Sequence, residues 1–155
     1  MRKDIAKGLS EHLGIKIIRA NQTAEAPAYP YGTYNATTIA QENKGTWQKH
    51  ADGIDRQLVR SVWSFSFLSK DHDESVALAI RAREWFDHVG RAWLSERGIT
   101  VQSTTDINNR DNILTVEYER KNGFDAFFYV YNEVENPLEA TGYIQSAEIT
   151  RTTMT

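Results

Sequence analysis

The feature that most constrains the fold is a long amphipathic helix predicted near the middle of the chain. Asp71 stands where a helix N-cap is expected, and Glu74 three residues later would complete a capping box. The helix is predicted to run to about Arg97, because Gly98 follows at the position of a left-handed C-terminal cap. Its apolar stripe is predicted to consist of Leu78, Ala82, Trp85, Phe86, Val89 and Trp93. Such a stripe has to pack against a sheet or against other helices.

The segment before this helix predicts a strand with two different faces. Trp63, Phe65 and Phe67 alternate with Ser64 and Ser66, which is the period of two that a strand requires. Aromatic side chains dominate protein cores, so the aromatic residues of this strand and of the helix are expected to be buried together. We interpret them as core and not as a ligand-binding box.

Shorter patterns predict the remaining elements. Arg2–Leu13 should form a second helix, since Ile5, Leu9 and Leu13 recur every four positions and Gly14 follows them. Strands are predicted at Ile15–Arg19, Tyr31–Gln41, Val62–Leu68, Ile99–Ser103, Ile113–Arg120 and Phe124–Tyr131, with Asn122-Gly123 as a hairpin turn. Two helices among many strands predict an α+β fold, with a mixed, mainly antiparallel sheet that carries both helices on one face.

Length and composition bound the organisation of the chain. A chain of 155 residues with 40% hydrophobic and 25% charged residues is typical of one compact domain and excludes general disorder. We predict a single domain over residues 1–137, with a polar insert at 42–60 and a C-terminal extension at 138–155. The sequence has no cysteine and no apolar run near the roughly 20 residues of a membrane span.

The polar insert Glu42–Arg60 is the strongest candidate for an assembly element. Long polar segments inside a small domain are often functional, and Trp47 could anchor an interface by burial against a neighbour. The alternative is a long β-hairpin with a tip that is merely exposed. The candidate interface residues are Glu42, Lys44, Trp47, His50, Asp55 and Arg56.

The sequence contains none of the common catalytic signatures. It lacks the glycine-rich phosphate loops and the Gly-x-Ser-x-Gly nucleophile elbow. Asp71-His72-Asp73-Glu74 is the densest group of metal-ligating types, but acidic residues there are also expected at a helix N-terminus. We therefore predict no catalytic residue, no metal and no cofactor, and keep a small metal-dependent enzyme using Asp71, His72 and Asp73 as a remote alternative.

Sequence-specific nucleic-acid binding is also disfavoured. The insert interleaves four basic residues with Trp47, a pattern that could stack bases, but acidic residues bring the same segment near neutrality. The net charge of the whole chain is −3. A protein whose affinity came from phosphate contacts would carry a basic patch.

Several segments resemble the phage neck or tail terminator proteins found in tailed phages and prophages of Gram-positive bacteria. The resemblance covers Asp4 to about Pro137. It is carried most by Pro27–Tyr34, by the strand-into-helix junction Trp63–Glu74 and by Asn109–Phe128. None of these is a catalytic signature, so the resemblance depends on the ordered set.

The resemblance implies a structural virion protein that acts by assembly. Such a protein would form a ring, most often six-fold, that caps the tail tube, ends its polymerisation and joins it to the neck proteins on the head side. Its partners would be its own copies, the tail tube protein and the head-completion proteins, with DNA passing through the ring without sequence-specific binding and no membrane involved. It would be synthesised in the cytoplasm of the bacterial host, and a head-completion or stopper protein is the alternative. The longer C-terminal tail exceeds what a minimal member of the family needs.

Overall fold

The computed structural model describes residues 2–42, 46–111 and 119–136. In chain order its elements are α1 (Arg2–Leu13), β1 (Lys16–Arg19), β2 (Tyr31–Glu42), β3 (Ile54–Ser69), α2 (His72–Glu84), a π-helical turn (Trp85–Val89), α3 (Arg91–Ser95), β4 (Ile99–Thr104), β5 (Asn108–Asn109) and β6 (Arg120–Glu135). The predicted α+β class is confirmed. The predicted strand Ile113–Arg120 lies almost wholly outside the described residues, as does the C-terminal extension 138–155.

The strands form one open sheet in the order β1-β2-β3-β6-β4, with β5 paired to β6. β1 lies parallel to β2, with Ile17 opposite Gly32, whereas β4 and β5 lie antiparallel to β6. The predicted mixed, mainly antiparallel sheet is therefore confirmed. β1 and β4 are its edge strands within the described part of the chain.

The chain divides into two compact units. The first contains residues 1–41 and 60–130, and the second contains residues 42–59 and 131–155. β3 and β6 each contribute residues to both units. The predicted single domain over residues 1–137 stays a prediction.

The core of the first unit lies between the helices and one face of the sheet. α1 contributes Ile5, Leu9 and Leu13, as their spacing predicts, and Gly14 ends the helix at φ +70°. The sheet contributes side chains from its central strands, including Trp63, Phe65, Phe67, Phe124 and Phe128. Most of the aromatic core predicted from the strand and the central helix is confirmed. Five of its six aromatic residues are buried and one is partly exposed: Trp63, Phe65, Phe67, Trp85 and Phe86 are buried, and Trp93 is partly exposed. Burial of so many rings supplies the main stabilisation of this unit.

The long central helix is interrupted by a π-helical turn that changes which residues are buried. The Gly90 N–H donates to the Trp85 carbonyl over five residues (2.7 Å), so one extra residue is inserted into the turn. The predicted stripe continued through Val89 and Trp93, but Val89 is 60% exposed and the buried positions are Gly90 and Leu94. The prediction for Val89 is wrong because the extra residue rotates the following turn by one position.

The junction between β3 and α2 is capped differently from the prediction. Asp71 does occupy the N-cap position, but its side chain makes no capping hydrogen bond. Glu74 accepts instead from the Ser69 hydroxyl (2.6 Å), and the same hydroxyl accepts from the Asp71 N–H (3.1 Å). The predicted capping box is therefore wrong, because Ser69 at the end of β3 links the two acidic residues.

Asn122-Gly123 is not a hairpin turn but part of β6, where it pairs with β5. The buried Asn122 amide donates to Ser75 Oγ (3.1 Å), and Ser75 donates to the Phe67 carbonyl (2.7 Å). A Cβ on Gly123 would lie 2.0 Å from the Phe65 carbonyl oxygen. The turn prediction is wrong because glycine serves here for close approach of two strands and not for a positive φ.

The polar insert is partly a strand. β3 begins at Ile54, so residues 54–60 belong to a long strand that was predicted to begin at Val62. β2 and β3 are neighbours in the sheet, which corresponds to the β-hairpin alternative. Its polar residues hid this strand from the sequence pattern, because Glu133, the carboxylate that pairs with the Arg56 side chain, lies 77 residues further along the chain.

Candidate assembly surface

The second unit carries the candidate site. We call its described residues 46–59 and 131–136 the ribbon. Gln48 and Arg56 form an antiparallel bridge in which each N–H donates to the other carbonyl, at 2.7 and 2.9 Å. This bridge holds the segment before β3 against the beginning of β3.

The turn at the end of the ribbon is formed by local sequence. Gly53 adopts φ +77°, a conformation that glycine reaches without steric cost, and its N–H donates to the His50 carbonyl (3.1 Å). The Asp52 carboxylate accepts from the Ile54 N–H (3.0 Å). An aspartate that accepts from the backbone two residues later is a common turn device, so Asp52-Gly53 encodes this turn directly.

Arg56 is the centre of an ion cluster in the ribbon. Its guanidinium donates to Asp52 (3.0 Å) and to Glu133 (2.9 Å). The hydrogen bond from Arg56, then the one from the Ile54 N–H, lowers the pKa of Asp52. Accepting carboxylates on two sides in turn raise the pKa of Arg56, the Asp52 bond first. The cluster joins the turn to the end of β6 through one side chain.

A second set of hydrogen bonds closes the other side of the ribbon. The Asn136 N–H donates to the Gly53 carbonyl (2.7 Å), and the Asn136 amide donates to Asp55 (3.3 Å). Asp55 and Arg56 are neighbours in β3, so their side chains point to opposite faces. Each face of the ribbon is thus joined across its strands by a polar contact.

Four large apolar side chains are exposed on the ribbon. Their exposed fractions are 40% for Trp47, 38% for Leu58, 53% for Tyr131 and 48% for Val134. Leu58 lies two residues from Arg56 and Tyr131 two from Glu133, so these two apolar side chains share the face of the ion cluster. An exposed tyrosine near an arginine combines two residue types that interface centres favour.

The predicted interface residues are only partly brought together. Trp47 and His50 are exposed, whereas Asp55 and Arg56 are half-buried and bonded within the ribbon. Glu42 ends β2, and Lys44 lies outside the described residues. The ribbon also carries Leu58, Tyr131, Glu133 and Val134, which the sequence analysis did not single out. The alternation Tyr131, Glu133, Glu135 could have indicated an exposed strand face. The ion pair between Glu133 and Arg56 depends on the tertiary structure and could not be predicted from this pattern.

The described residues give no support to the catalytic alternative. Across 2–42, 46–111 and 119–136, no three His, Asp or Glu side chains are grouped so that they could hold a metal ion. His72 is exposed at the start of α2, and Glu74 is bonded to Ser69. No helix in this part of the chain is long and apolar enough to cross a membrane.

Comparison with known families identifies the chain. A family model described as phage neck terminator protein matches residues 3–154. The chain belongs to the phage neck terminator family. The match runs past Pro137 to residue 154, so it includes most of the segment 138–155.

Membership of this family indicates the general role of this neck terminator protein. The family is structural, with a place in the phage neck and hence in the virion. A neck protein interacts with other tail or head proteins of the phage.

Other comparisons add little. No curated protein matches the chain. One of the solved structures that match is similar over 83% of this chain and 89% of its own, at 13% sequence identity and a TM-score of 0.41. At that score the similarity bears neither on the fold nor on the function of this chain.

Proposed function

We propose that this neck terminator protein assembles into a closed ring of six subunits that caps the tail tube and ends its polymerisation. The observation that carries the proposal is the family match over residues 3–154. In this proposal the ring joins the tail to the head-side neck proteins and acts by assembly, without catalysis. The ribbon supplies a contact to a neighbouring protein through its exposed Leu58 and Tyr131.

DNA passage through the ring is part of the same proposal. Six subunits of formal charge −3 would carry −18 in all. A wall of negative charge repels phosphate, so a duplex would slide past it and not be gripped. The negative net charge of each subunit is compatible with such a conduit.

The proposal is tested by assembly in the presence and absence of tails. Purified protein should form rings in negative-stain images and a six-subunit species in native mass spectrometry. Phage lacking the protein should make tails of irregular length, and added protein should restore the normal length. Rings that bind heads but leave tail length unchanged would instead support a head-completion protein. A monomer that has no effect on tails would contradict the proposal.

The ribbon is tested with a double variant. Leu58→Ser combined with Tyr131→Ser should leave the melting temperature within a few degrees of wild type, because both side chains are exposed. It should lose ring formation or tail capping, because interfaces lose most affinity when apolar anchors are removed. Val89→Ser on the π-helical turn is the matched control, since Val89 is also exposed but lies outside the ribbon. Normal capping by the double variant would remove the ribbon from the interface.

A further inference from the structure

A ring requires each subunit to offer two different surfaces that fit each other, because head-to-tail contacts close by rotation. We propose that the acidic ribbon of one subunit docks on the basic edge formed by α1 and β1 of the next subunit. The inference rests on the proposed ring and specifies which two surfaces meet. The partner is therefore a second copy of this chain.

The ribbon is acidic at its exposed end. Its described residues include two basic and four acidic side chains. Every residue of β6 from Tyr131 to Glu135 is exposed, and Glu135 has no basic residue beside it on this strand. Arg56 offsets part of the acidic charge through its bonds to Asp52 and Glu133, so the ribbon keeps a net charge of −2, with Glu135 outside the ion cluster.

The opposite charge is concentrated in the first unit, on α1 and β1. Residues 2–19 carry five basic and two acidic side chains. Lys3 and Lys7 are exposed one helical turn apart on α1, and Lys16 and Arg19 are exposed at the two ends of β1. We call these four side chains the basic edge.

β1 also offers backbone groups at this edge. It is an edge strand of the sheet and pairs only with β2 among the described residues. In a parallel pair, alternate residues direct their N–H and carbonyl groups away from the neighbouring strand. The Ala20 N–H donates to the Tyr34 carbonyl, so Ile18 and Lys16 face β2 while Ile17 and Arg19 present backbone groups outward. An extended segment can bond to such an edge.

A groove lies beside the basic edge and could receive an acidic side chain. It has a volume of about 510 Å³ and follows the end of β1. Arg19, Asn21, Gln22, Thr23 and Asn35 contribute the polar part of its lining. Guanidinium, amide and hydroxyl groups all donate hydrogen bonds, and carboxylates accept them. The groove thus complements a strand that exposes glutamates.

Charge complementarity explains why the contact is head-to-tail. Two ribbons repel each other, as do two basic edges, so a symmetric dimer through either surface is disfavoured. An acidic surface against a basic surface favours the one arrangement that leads to a ring. Tyr131 and Leu58 would supply the apolar part of the contact.

Two charge-reversed variants test this docking. Variant E combines Lys16→Glu with Arg19→Glu, and variant R combines Asn132→Lys with Glu135→Lys; all four side chains are exposed. Each variant alone should associate at least about tenfold more weakly than wild type, because like charges then face each other. An equimolar mixture should restore rings, because every E–R contact again joins opposite charges.

Native mass spectrometry reads the result, since a restored ring must contain equal numbers of the two variants. Ser95→Lys with Glu96→Lys is the control for variant R, because it makes the same charge change at two exposed positions at the C-terminal end of α3. The control should form rings by itself. Circular dichroism and melting of each variant establish that it is folded.

The outcomes separate the docking from the proposed function. Wild-type rings together with ring formation by variants E and R alone would overturn the docking and leave the ring intact. Loss of rings in both variants without rescue in the mixture would also overturn it. Binding of a short DNA duplex by wild type that variant E loses, with rings unaffected, would assign the basic edge to nucleic acid instead. Wild type that neither forms rings nor caps tails would overturn the proposed function itself.

Discussion

At the scale of single residues, glycines show how position decides meaning. Gly14 occupies positive φ after a helix, as its sequence context predicts, and Gly53 occupies positive φ in the turn of the ribbon. Gly123 follows Asn122, a residue that is typical of turns, so the sequence also suggests a turn there. In the structure it lies in a strand against the Phe65 backbone. Its requirement is space and not conformation.

Gly123→Ala should therefore be costly. The added Cβ would lie 2.0 Å from the Phe65 carbonyl oxygen and 2.9 Å from Ser66 Cα, and backbone atoms cannot move aside without shifting a central strand. We expect a loss of about 1–3 kcal/mol or more in the free energy of unfolding, measured by urea denaturation. Gly32→Ala is the control, because its closest contact is the flexible end of Ile17 and the loss should be smaller. An equal loss in both variants would contradict the assigned strand contact.

Phe86 should be among the most important side chains of the core. Its ring is buried and contacts Phe65, Phe124 and Phe128 at centroid distances of 4.8, 5.9 and 5.5 Å. Phe86→Ala should lower the free energy of unfolding by about 3–5 kcal/mol. Trp85→Ala should have a similar effect, because Trp85 packs over Gly8 and Gly90. Melting of both variants near that of wild type would contradict the packing of the helix on the sheet.

At the scale of elements, the π-helical turn decides the register of the last helical turns. We therefore expect truncation of Leu94 to cost more stability than truncation of Val89, the opposite of what a regular helical period of about 3.6 residues predicts. Leu94→Ala should cost about 2–5 kcal/mol because Leu94 is fully buried. Val89→Ala, at a position that periodicity alone would bury, should change stability by no more than about 0.5 kcal/mol. Chemical denaturation of both variants distinguishes the two registers. A large loss in the free energy of unfolding for Val89→Ala would support a helix without the π-helical turn.

The ribbon should respond to acid through Asp52. Its pKa is lowered in the folded protein, so its carboxylate stabilises the ribbon at pH values above the unfolded pKa of about 3.9. This contribution is lost as the pH falls through the lower folded pKa. Hydrogen-exchange protection of the Gln48 and Arg56 amides, corrected for intrinsic rates, should therefore fall below about pH 4.

Asp52→Asn provides the control for this acid response. The variant lacks the titrating carboxylate, so its ribbon protection should be lower at neutral pH and should not fall further over the same acid range. Amides of α1 should keep their protection in both proteins. A wild-type ribbon with unchanged protection in acid would show that the Asp52–Arg56 pair does not stabilise it.

At the scale of the whole molecule, the segment between β2 and β3 should be dispensable for folding and needed for assembly. Among the described residues of this segment, 46–53, none belongs to the core cluster. Replacing them with a short glycine-serine linker should leave the melting temperature nearly unchanged, since it keeps both strands. Ring formation or tail capping should be lost, because the turn that binds Arg56 is removed. Normal tail length with the shortened protein would show that this segment is not an assembly element.

Assembly should also weaken in salt. Docking of an acidic ribbon on a basic edge depends on exposed charges, and these are screened over about 8 Å at physiological ionic strength and about 3 Å at 1 M. Raising salt should therefore lower the ring fraction in analytical ultracentrifugation while the subunit stays folded. A ring fraction that rises with salt would indicate a contact dominated by apolar burial.

The sequence by itself determined the elements whose cause is local. α1 and Gly14, the period of two at Trp63–Phe67, and the turn at Asp52-Gly53 all follow from spacing and backbone preference. The family, too, was readable from the ordered segments, because it depends on residue order and not on geometry. These features could be predicted from the sequence because they depend on neighbouring residues or on residue order, and not on contacts with a distant strand.

Tertiary structure alone decided the features whose partners lie far apart. Ile54–Arg60 is a strand although it is polar, because Arg56 bonds with Glu133 at a separation of 77 residues. Asn122-Gly123 continues a strand because Ser75 and the Phe65 backbone meet it. The π-helical turn places Leu94 in the core where periodicity selected Val89 and Trp93. In the two strands a long-range contact outweighs a local preference of about 1 kcal/mol or less, since burial and paired polar groups contribute more than propensity.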